Sequence, residues 1–244
     1  MNIIKVKDYN ELSLKAAQYC INKIRNNPKT TLGLATGSTP VGLYKELVKD
    51  HQENHTSYKD VTSFNLDEYI GLSGDDPNSY RYFMDYHLLN HLDIKKDHTY
   101  VPKGDVPNPE QQCLDYELLL KNHNGIDLQI LGIGPNGHIG FNEPGTSIHS
   151  ETHIIELTQS TREANARFFN NRIDEVPTHA ITMGISSIMR SKEIILLISG
   201  TQKHETLTQF LQGDITENFP ASILRNHPCM TLIADEAAFG NISI

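Results

Sequence analysis

The chain has 244 residues, a formal net charge of −9 and a sequence pI of about 5.7. This length is sufficient for the core of one α/β domain, and because no Pro/Ser-rich linker or block of charge divides the chain, we predict a single domain over residues 1–244. The acidic balance and the lack of a Lys/Arg-rich run argue against a nucleic-acid-binding surface.

Helix and strand patterns alternate along the chain. In the first half, helices are predicted within residues 8–26, 40–50, 79–92 and 109–122, and strands at residues 31–35, 61–66 and 126–133. The second half adds strands at residues 180–183, 193–199 and 230–234, each followed by a plausible helix. This alternation predicts an open, mostly parallel sheet with helices on both faces, which binds its ligand at the carboxyl ends of its strands.

The first candidate site follows the strand at residues 31–35. The loop that leads from this strand to the next helix consists of Thr36, Gly37, Ser38 and Thr39. Free amides, hydroxyl groups and the helix dipole would attract an anion, so the loop predicts a phosphate cradle in which Ser38 or Thr39 could also cap the helix. It matches neither the Walker motif nor the dinucleotide-binding fingerprint, and an ordinary helix start remains the alternative.

A second candidate site lies in the segment VTSFNLDEY at residues 61–69. This segment reads as a strand that ends in the adjacent acids Asp67 and Glu68, which are costly to bury without purpose. If it neighbours the strand at residues 126–133 in one parallel sheet, both strands end at the same crevice. The alternative is that one of the acids caps the following turn.

The third candidate site is the Gly-rich segment GIGPNGHIGFNEP at residues 132–144, which follows the apolar strand IDLQILGI. It delivers Asn136, His138 and Glu143 to one loop, and a titratable His and Glu at this position are suited to acid–base chemistry. Glycine allows the backbone to approach a ligand closely. The alternative is a Gly-rich turn whose His and Glu cap a helix.

Two cations complement the predicted phosphate cradle. Lys203 follows the strand at residues 193–199 and lies at another strand-to-helix junction. Arg167 belongs to residues 157–177, which lack the apolar periodicity of a core helix and are a candidate mobile lid. Arginine offers phosphate a bidentate fork and lysine a compact charge, although a solvated surface role is the default for either residue.

No metal site and no disulfide framework are predicted. The three cysteines are far apart without a CxxC pair, which suits a reducing cytoplasm. Among the 12 histidines, only His87 and His91 form a clear i,i+4 pair, and no HExxH surrounds them. The N-terminus lacks the apolar region of a signal peptide, and no stretch reaches membrane-spanning length. We therefore expect a cytoplasmic protein without a membrane partner.

Five separated motifs occur in the order ATGSTP, FNLDEY, GIGPNGHIGFNEP, STREANARFF and SGTQK. Through them, and over nearly the whole chain, the sequence resembles the glucosamine-6-phosphate deaminase family, also called glucosamine-6-phosphate isomerases. The resemblance implies a Rossmann-like α/β fold, no cofactor, and an isomerising hydrolase that acts on the C–N bond of an amino sugar. Glucosamine 6-phosphate and water would give fructose 6-phosphate and ammonia, as in N-acetylglucosamine catabolism.

Carried over by motif, the resemblance also implies residue roles. Asp67 would remove the C2 proton of the open-chain sugar and return it during isomerisation. His138 would open the pyranose ring by moving a proton between O1 and O5, assisted by Glu143 and oriented by Asn136. The resemblance implies that the phosphate is bound by Thr36, Gly37, Ser38 and Thr39 together with Arg167 and Lys203.

The sequence departs from the family pattern in two places. Some members have Asp where this chain has Asn136, and an amide can orient the imidazole but cannot raise its basicity as a carboxylate would. Allosterically activated members carry basic residues soon after FNEP, whereas residues 150–156 contain no Lys or Arg, and the chain ends early at Ile244. We therefore expect an unregulated monomer or low-order homo-oligomer, which sigmoidal kinetics relieved by N-acetylglucosamine 6-phosphate would contradict.

Two other readings are retained. A 6-phosphogluconolactonase would hold a sugar phosphate in a related fold but perform hydrolysis, and it would not require the acid of FNLDEY. A sugar-phosphate-sensing domain would keep the cradle without catalysis. No DNA-binding helix-turn-helix precedes the domain, which disfavours the sensing domain as part of a regulator.

Overall fold

The computed structural model describes residues 1–242 and contains two sheets. The strands are β1 (Asn2–Val6), β2 (Thr31–Leu34), β3 (Thr62–Asn65), β4 (Asp67–Tyr69), β5 (Thr99–Tyr100), β6 (Leu128–Leu131), β7 (His153–Glu156), β8 (His179–Thr182), β9 (Ile194–Ile198) and β10 (Met230–Asp235). Seven of them form the main sheet in the order β1-β10-β9-β6-β2-β3-β5, and every pair in it is parallel. The predicted mostly parallel sheet is confirmed.

Helices cover both faces of the main sheet. They are α1 (Tyr9–Asn26), α2 (Val41–Asn54), α3 (Tyr80–His87), α4 (Pro109–Asn122), α5 (Gln159–Asn165), α6 (Ile185–Met189), α7 (His204–Gln212) and α8 (Glu236–Phe239). Alternate residues of β9 belong to different cores: Leu197 packs in a cluster with residues of α1, α2 and α3, whereas Leu196 packs with residues of α4, α7 and α8. Because strand side chains alternate between faces, the two clusters lie on opposite sides of the sheet.

The second sheet corrects the prediction for residues 61–69. These residues do not form one strand: β3 ends at Asn65, and β4 begins at Asp67 in a three-stranded antiparallel sheet of order β4-β8-β7. Leu66 joins the two sheets, since its N–H donates to Leu34 O at 3.2 Å and its carbonyl accepts from Met183 N at 2.7 Å. Asp67 is therefore held at the seam between the sheets.

Several other boundaries differ from the predictions. β6 is shorter than the predicted strand at residues 126–133, and β2 lies between it and β3, so the two strands are not neighbours. In place of the helix predicted at residues 79–92, α3 ends at His87 and a separate 3-10 turn follows at Leu89–His91. β1, β5 and β7 were not predicted because their residues are too exposed or too few to form an apolar run.

Residues 157–177 contain more packed structure than the sequence pattern indicated. They comprise α5 and two 3-10 turns, Ala166–Phe168 and Ile173–Glu175. Leu157, Phe169 and Val176 are buried in a third apolar cluster, which also includes residues of β4 and β8. No helix within residues 1–242 has both the length and the apolar character needed to cross a membrane.

Candidate active site

Asp67 is a buried carboxyl group without a hydrogen-bond partner among residues 1–242. Its side chain lies at the start of β4, and no N–H or O–H group within residues 1–242 donates a hydrogen bond to it. Burial raises the pKa of Asp67 well above its ordinary value, and the neighbouring charge of Glu68 raises it further. A desolvated carboxylate that accepts no hydrogen bond from the protein is suited to accept a proton from a substrate.

Glu68 has the opposite environment, because its carboxylate is saturated with backbone donors. The N–H groups of Tyr69, Tyr80 and Arg81 each donate to it at 2.9 Å. Two of these donors belong to the first turn of α3, so the carboxylate anchors the helix N-terminus. Burial raises the pKa of Glu68 to about 7, against the opposing effect of these hydrogen bonds.

Three side chains of the Gly-rich loop form a hydrogen-bonded relay. Asn136 Nδ2 donates to Glu143 Oε2 at 2.8 Å, and Asn136 Oδ1 lies 2.7 Å from His138 Nδ1. A carboxylate only accepts, so the amide nitrogen must face Glu143 and the amide oxygen must face the imidazole. His138 Nδ1 therefore carries the hydrogen, and Nε2 presents its lone pair.

The surroundings of the imidazole favour its neutral form. Burial lowers the pKa of His138, and the charge of Lys203 lowers it further, whereas Glu143 opposes both effects. His138 Nε2 has no hydrogen-bond partner among residues 1–242. The ring can therefore accept a proton from a ligand at this nitrogen.

Glycines allow the relay to pack closely. A Cβ atom at Gly134 would lie 2.1 Å from the His138 ring, and one at Gly137 would lie 2.3 Å from the Phe219 ring. Gly137 also has a φ of +83°, a conformation that other residues adopt only with strain. The imidazole thus rests directly on the backbone of its own loop.

The relay loop and Asp67 meet through Thr182 and Gly140. Thr182 pairs with Asp67 in the second sheet, and its Oγ1 accepts a hydrogen bond from Phe141 N at 3.1 Å. A Cβ atom at Gly140 would lie 3.2 Å from Asp67 Oδ2 and 3.0 Å from Thr182 Oγ1. The carboxyl group of Asp67 and the loop that carries His138 therefore lie close together.

The loop at residues 36–39 has free backbone donors. Within the described chain, no protein acceptor receives the N–H groups of Gly37, Ser38 or Thr39, and Gly37 has a φ of +93°. Neither Ser38 nor Thr39 caps α2, contrary to one reading of the sequence, because the N-cap is Pro40 and makes no side-chain hydrogen bond. These donors remain available to an anion.

Tyr9 of α1 fixes this loop from outside. Its hydroxyl accepts from Gly42 N at 2.8 Å and lies 3.0 Å from the carbonyl oxygens of both Ser38 and Thr39, to which it can donate. The contact joins the N-terminal turns of α1 and α2.

The two predicted cations lie near each other. Lys203 Nζ donates to Ile133 O at 2.7 Å, which holds the ammonium beside the start of the relay loop. Burial lowers the pKa of Lys203, and the nearby charge of Arg167 adds to this effect. Arg167 is exposed, lies over the Phe168 ring at 4.7 Å, and has no carboxylate partner within residues 1–242. A Cβ atom at Gly132 would lie 4.0 Å from Thr39, so the phosphate loop borders the same region.

Some residues of this region were not singled out by sequence reasoning. Tyr80 packs against Tyr69 and stacks on Phe141 at 5.8 Å, beside Asp67. Thr161 donates to Glu143. None of these contacts has a local sequence signal. Throughout residues 1–242, no cluster of three or more His, Cys, Asp or Glu side chains could hold a metal ion.

Comparisons with known proteins agree on the family. The family model for glucosamine-6-phosphate isomerases and 6-phosphogluconolactonases matches residues 7–233. The glucosamine-6-phosphate deaminase of Halalkalibacterium halodurans is 54% identical, with 100% of this chain and 99% of that protein covered. The deaminase of Clostridium perfringens is 49% identical, with 98% of each chain covered.

Solved structures show the same relationship. A monomeric glucosamine-6-phosphate deaminase superimposes with a TM-score of 0.96 at 47% identity and covers 98% of each chain. The 6-phosphogluconolactonase of Trypanosoma cruzi gives a TM-score of 0.80 at 20% identity and covers 100% of this chain and 97% of that one, which shows a shared fold.

Proposed function

The chain belongs to the family of glucosamine-6-phosphate isomerases and 6-phosphogluconolactonases, and from this premise we propose that it is a glucosamine-6-phosphate deaminase. The reaction converts glucosamine 6-phosphate and water to fructose 6-phosphate and ammonia. Full-length relatives with this name at about half identity support the proposal. The lactonases resemble the chain only at the level of the fold.

The observation that carries the proposal is the proximity of Asp67 to the relay loop, which Thr182 and Gly140 bring about. This proximity supports two proton transfers on one sugar. Asp67 accepts no hydrogen bond from residues 1–242, and His138 has a free lone pair at Nε2. A lactonase needs no carboxylate for the removal of a carbon-bound proton.

Ring opening is the first step of the proposed reaction. His138 Nε2 takes the proton of the O1 hydroxyl and returns a proton to O5 as the C1–O5 bond breaks, which gives the open-chain aldehyde. Asn136 and Glu143 hold the imidazole in the required tautomer. The lowered pKa of His138 keeps the ring able to accept the first proton at neutral pH.

Isomerisation and loss of ammonia follow. Asp67 removes the C2 proton and delivers it to C1, while one proton passes from the amino nitrogen to O1. The C1 aldehyde thereby becomes a hydroxymethyl group, and the C2 amine becomes an imine. Water adds to C2, and ammonia leaves to give the ketone of fructose 6-phosphate. The net change is an aldose-to-ketose isomerisation together with hydrolytic release of the C2 amine as ammonia, which is the reaction of an isomerising hydrolase.

The phosphate anchors the substrate in this proposal. The free amides at residues 36–39, the ammonium of Lys203 and the guanidinium of Arg167 supply donors and positive charge around one position. We also propose that the enzyme acts in the cytoplasm as an unregulated monomer. Its unpaired cysteines suit that compartment, and the similar solved deaminase is monomeric.

One assay tests the proposal. Purified protein is incubated with glucosamine 6-phosphate, and in parallel with 6-phosphogluconolactone, at neutral pH without added cofactor. We expect ammonia and fructose 6-phosphate in equal amounts from the amino sugar, with no acceleration of lactone hydrolysis. Lactone hydrolysis without ammonia release would instead support the lactonase, and failure to act on either substrate would reject both enzymes.

A further inference from the structure

Thr161 completes the hydrogen bonding of the relay. Its hydroxyl donates to Glu143 Oε1, while Glu143 Oε2 accepts from Asn136. Within residues 1–242 no other group donates to Oε1, and Glu143 is only 4% exposed. Without this hydroxyl, one oxygen of a buried carboxylate would be unpaired, and the carboxylate would be free to turn away from Asn136.

The hydroxyl of Thr161 is itself held in one direction. Thr158, the N-cap of α5, donates its hydroxyl hydrogen to Thr161 Oγ1 at 3.1 Å and accepts Thr161 N–H at 3.2 Å. Thr161 Oγ1 therefore uses its lone pair for Thr158 and its hydrogen for Glu143. Such a chain of hydroxyl groups fixes the donor direction.

Helix α5 also connects Thr161 to the phosphate-binding region. Asn165, one turn further along, donates to Tyr69 Oη at 2.9 Å, and Arg167 lies in the 3-10 turn that follows the helix. The charge of Arg167 contributes to the lowered pKa of Lys203, and no carboxylate within residues 1–242 forms an ion pair with either group. An anion bound between these cations would hold the C-terminal end of α5.

We propose that Thr161 is a positioning residue, which locks Glu143 toward Asn136 when α5 is held by the contact between Arg167 and the substrate phosphate. The inference rests on the proposed function. Through the hydrogen bond from Thr161 to Glu143, binding of the distant phosphate supports the geometry of ring opening at His138. Binding energy far from the reacting bond is thereby used in catalysis. Thr161 does not touch the reacting atoms.

The test compares three variants of the full chain. Thr161→Val removes the hydroxyl with little change of shape, and Thr161→Ser retains it. Thr152→Val is the matched control, because Thr152 Oγ1 donates at 2.6 Å to another buried glutamate, Glu117. We expect Thr161→Val to lower kcat about 10- to 100-fold with KM nearly unchanged, as loss of a hydrogen bond to a charged group predicts.

Thr161→Ser should recover kcat to within about threefold of the parent, and Thr152→Val should leave kcat unchanged. If Thr161→Val retains parental kcat, or if Thr161→Ser is as slow as Thr161→Val, the hydroxyl does not position Glu143. Because the parent is assayed in the same series, an inactive parent rejects the proposed function and an active parent with an equally active Thr161→Val rejects only this inference.

Two further measurements separate positioning from a general loss of structure. With ¹⁵N-labelled histidine, the parent should show His138 protonated at Nδ1 alone, and Thr161→Val should show a mixture of tautomers, whereas Thr152→Val should not. In an Arg167→Ala background, Thr161→Val should lower kcat much less than it does in the parent. Two results would overturn the proposal. One is a single Nδ1-protonated tautomer of His138 in Thr161→Val, and the other is a fold-decrease of kcat by Thr161→Val that is the same in the Arg167→Ala background as in the parent.

Discussion

Asp67 and Glu68 are adjacent in sequence but have opposite surroundings. In the described part of the chain, residues 1–242, no group donates a hydrogen bond to Asp67, whereas Glu68 accepts three backbone hydrogen bonds from β4 and α3. The pKa of both carboxyl groups is raised, chiefly by burial. We interpret Glu68 as the group that anchors α3 and, once ionised, adds negative charge beside Asp67; together with burial, this charge makes Asp67 a stronger base than an ordinary aspartate.

The raised pKa of Glu68 predicts a pH-dependent stability. A carboxyl group whose pKa is higher in the folded protein destabilises the fold when it ionises, so its favourable contribution is complete below the ordinary value of 4.5 and is lost as the pH rises through about 7. Glu68→Gln cannot ionise. Urea unfolding should therefore show a flatter dependence of unfolding free energy on pH between 4.5 and 7 in Glu68→Gln than in the parent.

Glu53→Gln is the control for this measurement, because Glu53 is exposed on α2 and its side chain makes no hydrogen bond within residues 1–242. It should follow the parental dependence. Parallel curves for the parent and Glu68→Gln would contradict the interpretation of Glu68.

The sequence could suggest the relay of Asn136, His138 and Glu143, but not the residues from other elements that hold the site in place. Asn136, His138 and Glu143 belong to one short loop after a predicted strand, so their proximity needs little tertiary information. Thr161 is 18 residues from Glu143, and Tyr9 is 29 residues from Ser38. Such contacts depend on how helices pack on the sheet, which no local pattern specifies.

The parallel core was predictable because buried strands such as IILLI at Ile194–Ile198 are continuous apolar runs. The break at Leu66 was not predictable, since FNLDEY retains the composition of a strand on both sides of it. The chain changes sheet because the carbonyl of Leu66 accepts a hydrogen bond from Met183 N and not from a donor in the main sheet. The second sheet, and with it the seam that holds Asp67, follows from this tertiary contact.

Helix α1 is expected to influence phosphate binding through Tyr9. Tyr9→Phe removes the hydroxyl that joins Gly42 N to the loop at residues 36–39. Because one net hydrogen bond is worth about 0.5–1.5 kcal/mol, we expect KM for glucosamine 6-phosphate to rise about 3- to 10-fold, with kcat changed by less than about twofold.

Tyr19→Phe serves as the control in steady-state kinetics, because Tyr19 lies on the same helix and its hydroxyl makes no hydrogen bond within residues 1–242. An unchanged KM in Tyr9→Phe, or an equal rise in Tyr19→Phe, would mean that the hydroxyl does not organise the loop.

The molecule combines two large cores on the main sheet with a third, smaller core beneath residues 157–177. This third core contains Tyr69 of β4, Phe141 of the relay loop and Phe169 of the lid candidate, so it joins the strand of Asp67, the relay loop and residues 157–177. We propose that residues 157–177 act as a lid whose packing stays coupled to the catalytic groups. The sequence pattern indicated little packed structure here, because the buried residues of this segment are not spaced with helical periodicity.

The central claim is that two groups divide the chemistry on one substrate: His138 opens the ring and Asp67 moves the carbon-bound proton. Incubation with glucosamine 6-phosphate in D₂O tests it most directly, with deuterium at C2 of the remaining substrate and at C1 of the product measured by NMR. We expect Asp67→Asn to lower deuterium incorporation by about 10²–10⁴-fold.

In the same experiment, His138→Gln should slow turnover but leave the deuterium incorporated per turnover unchanged, because spontaneously opened sugar still reaches Asp67. Both variants should retain the parental fold by circular dichroism. Deuterium incorporation by Asp67→Asn at the rate of the parent would contradict the account.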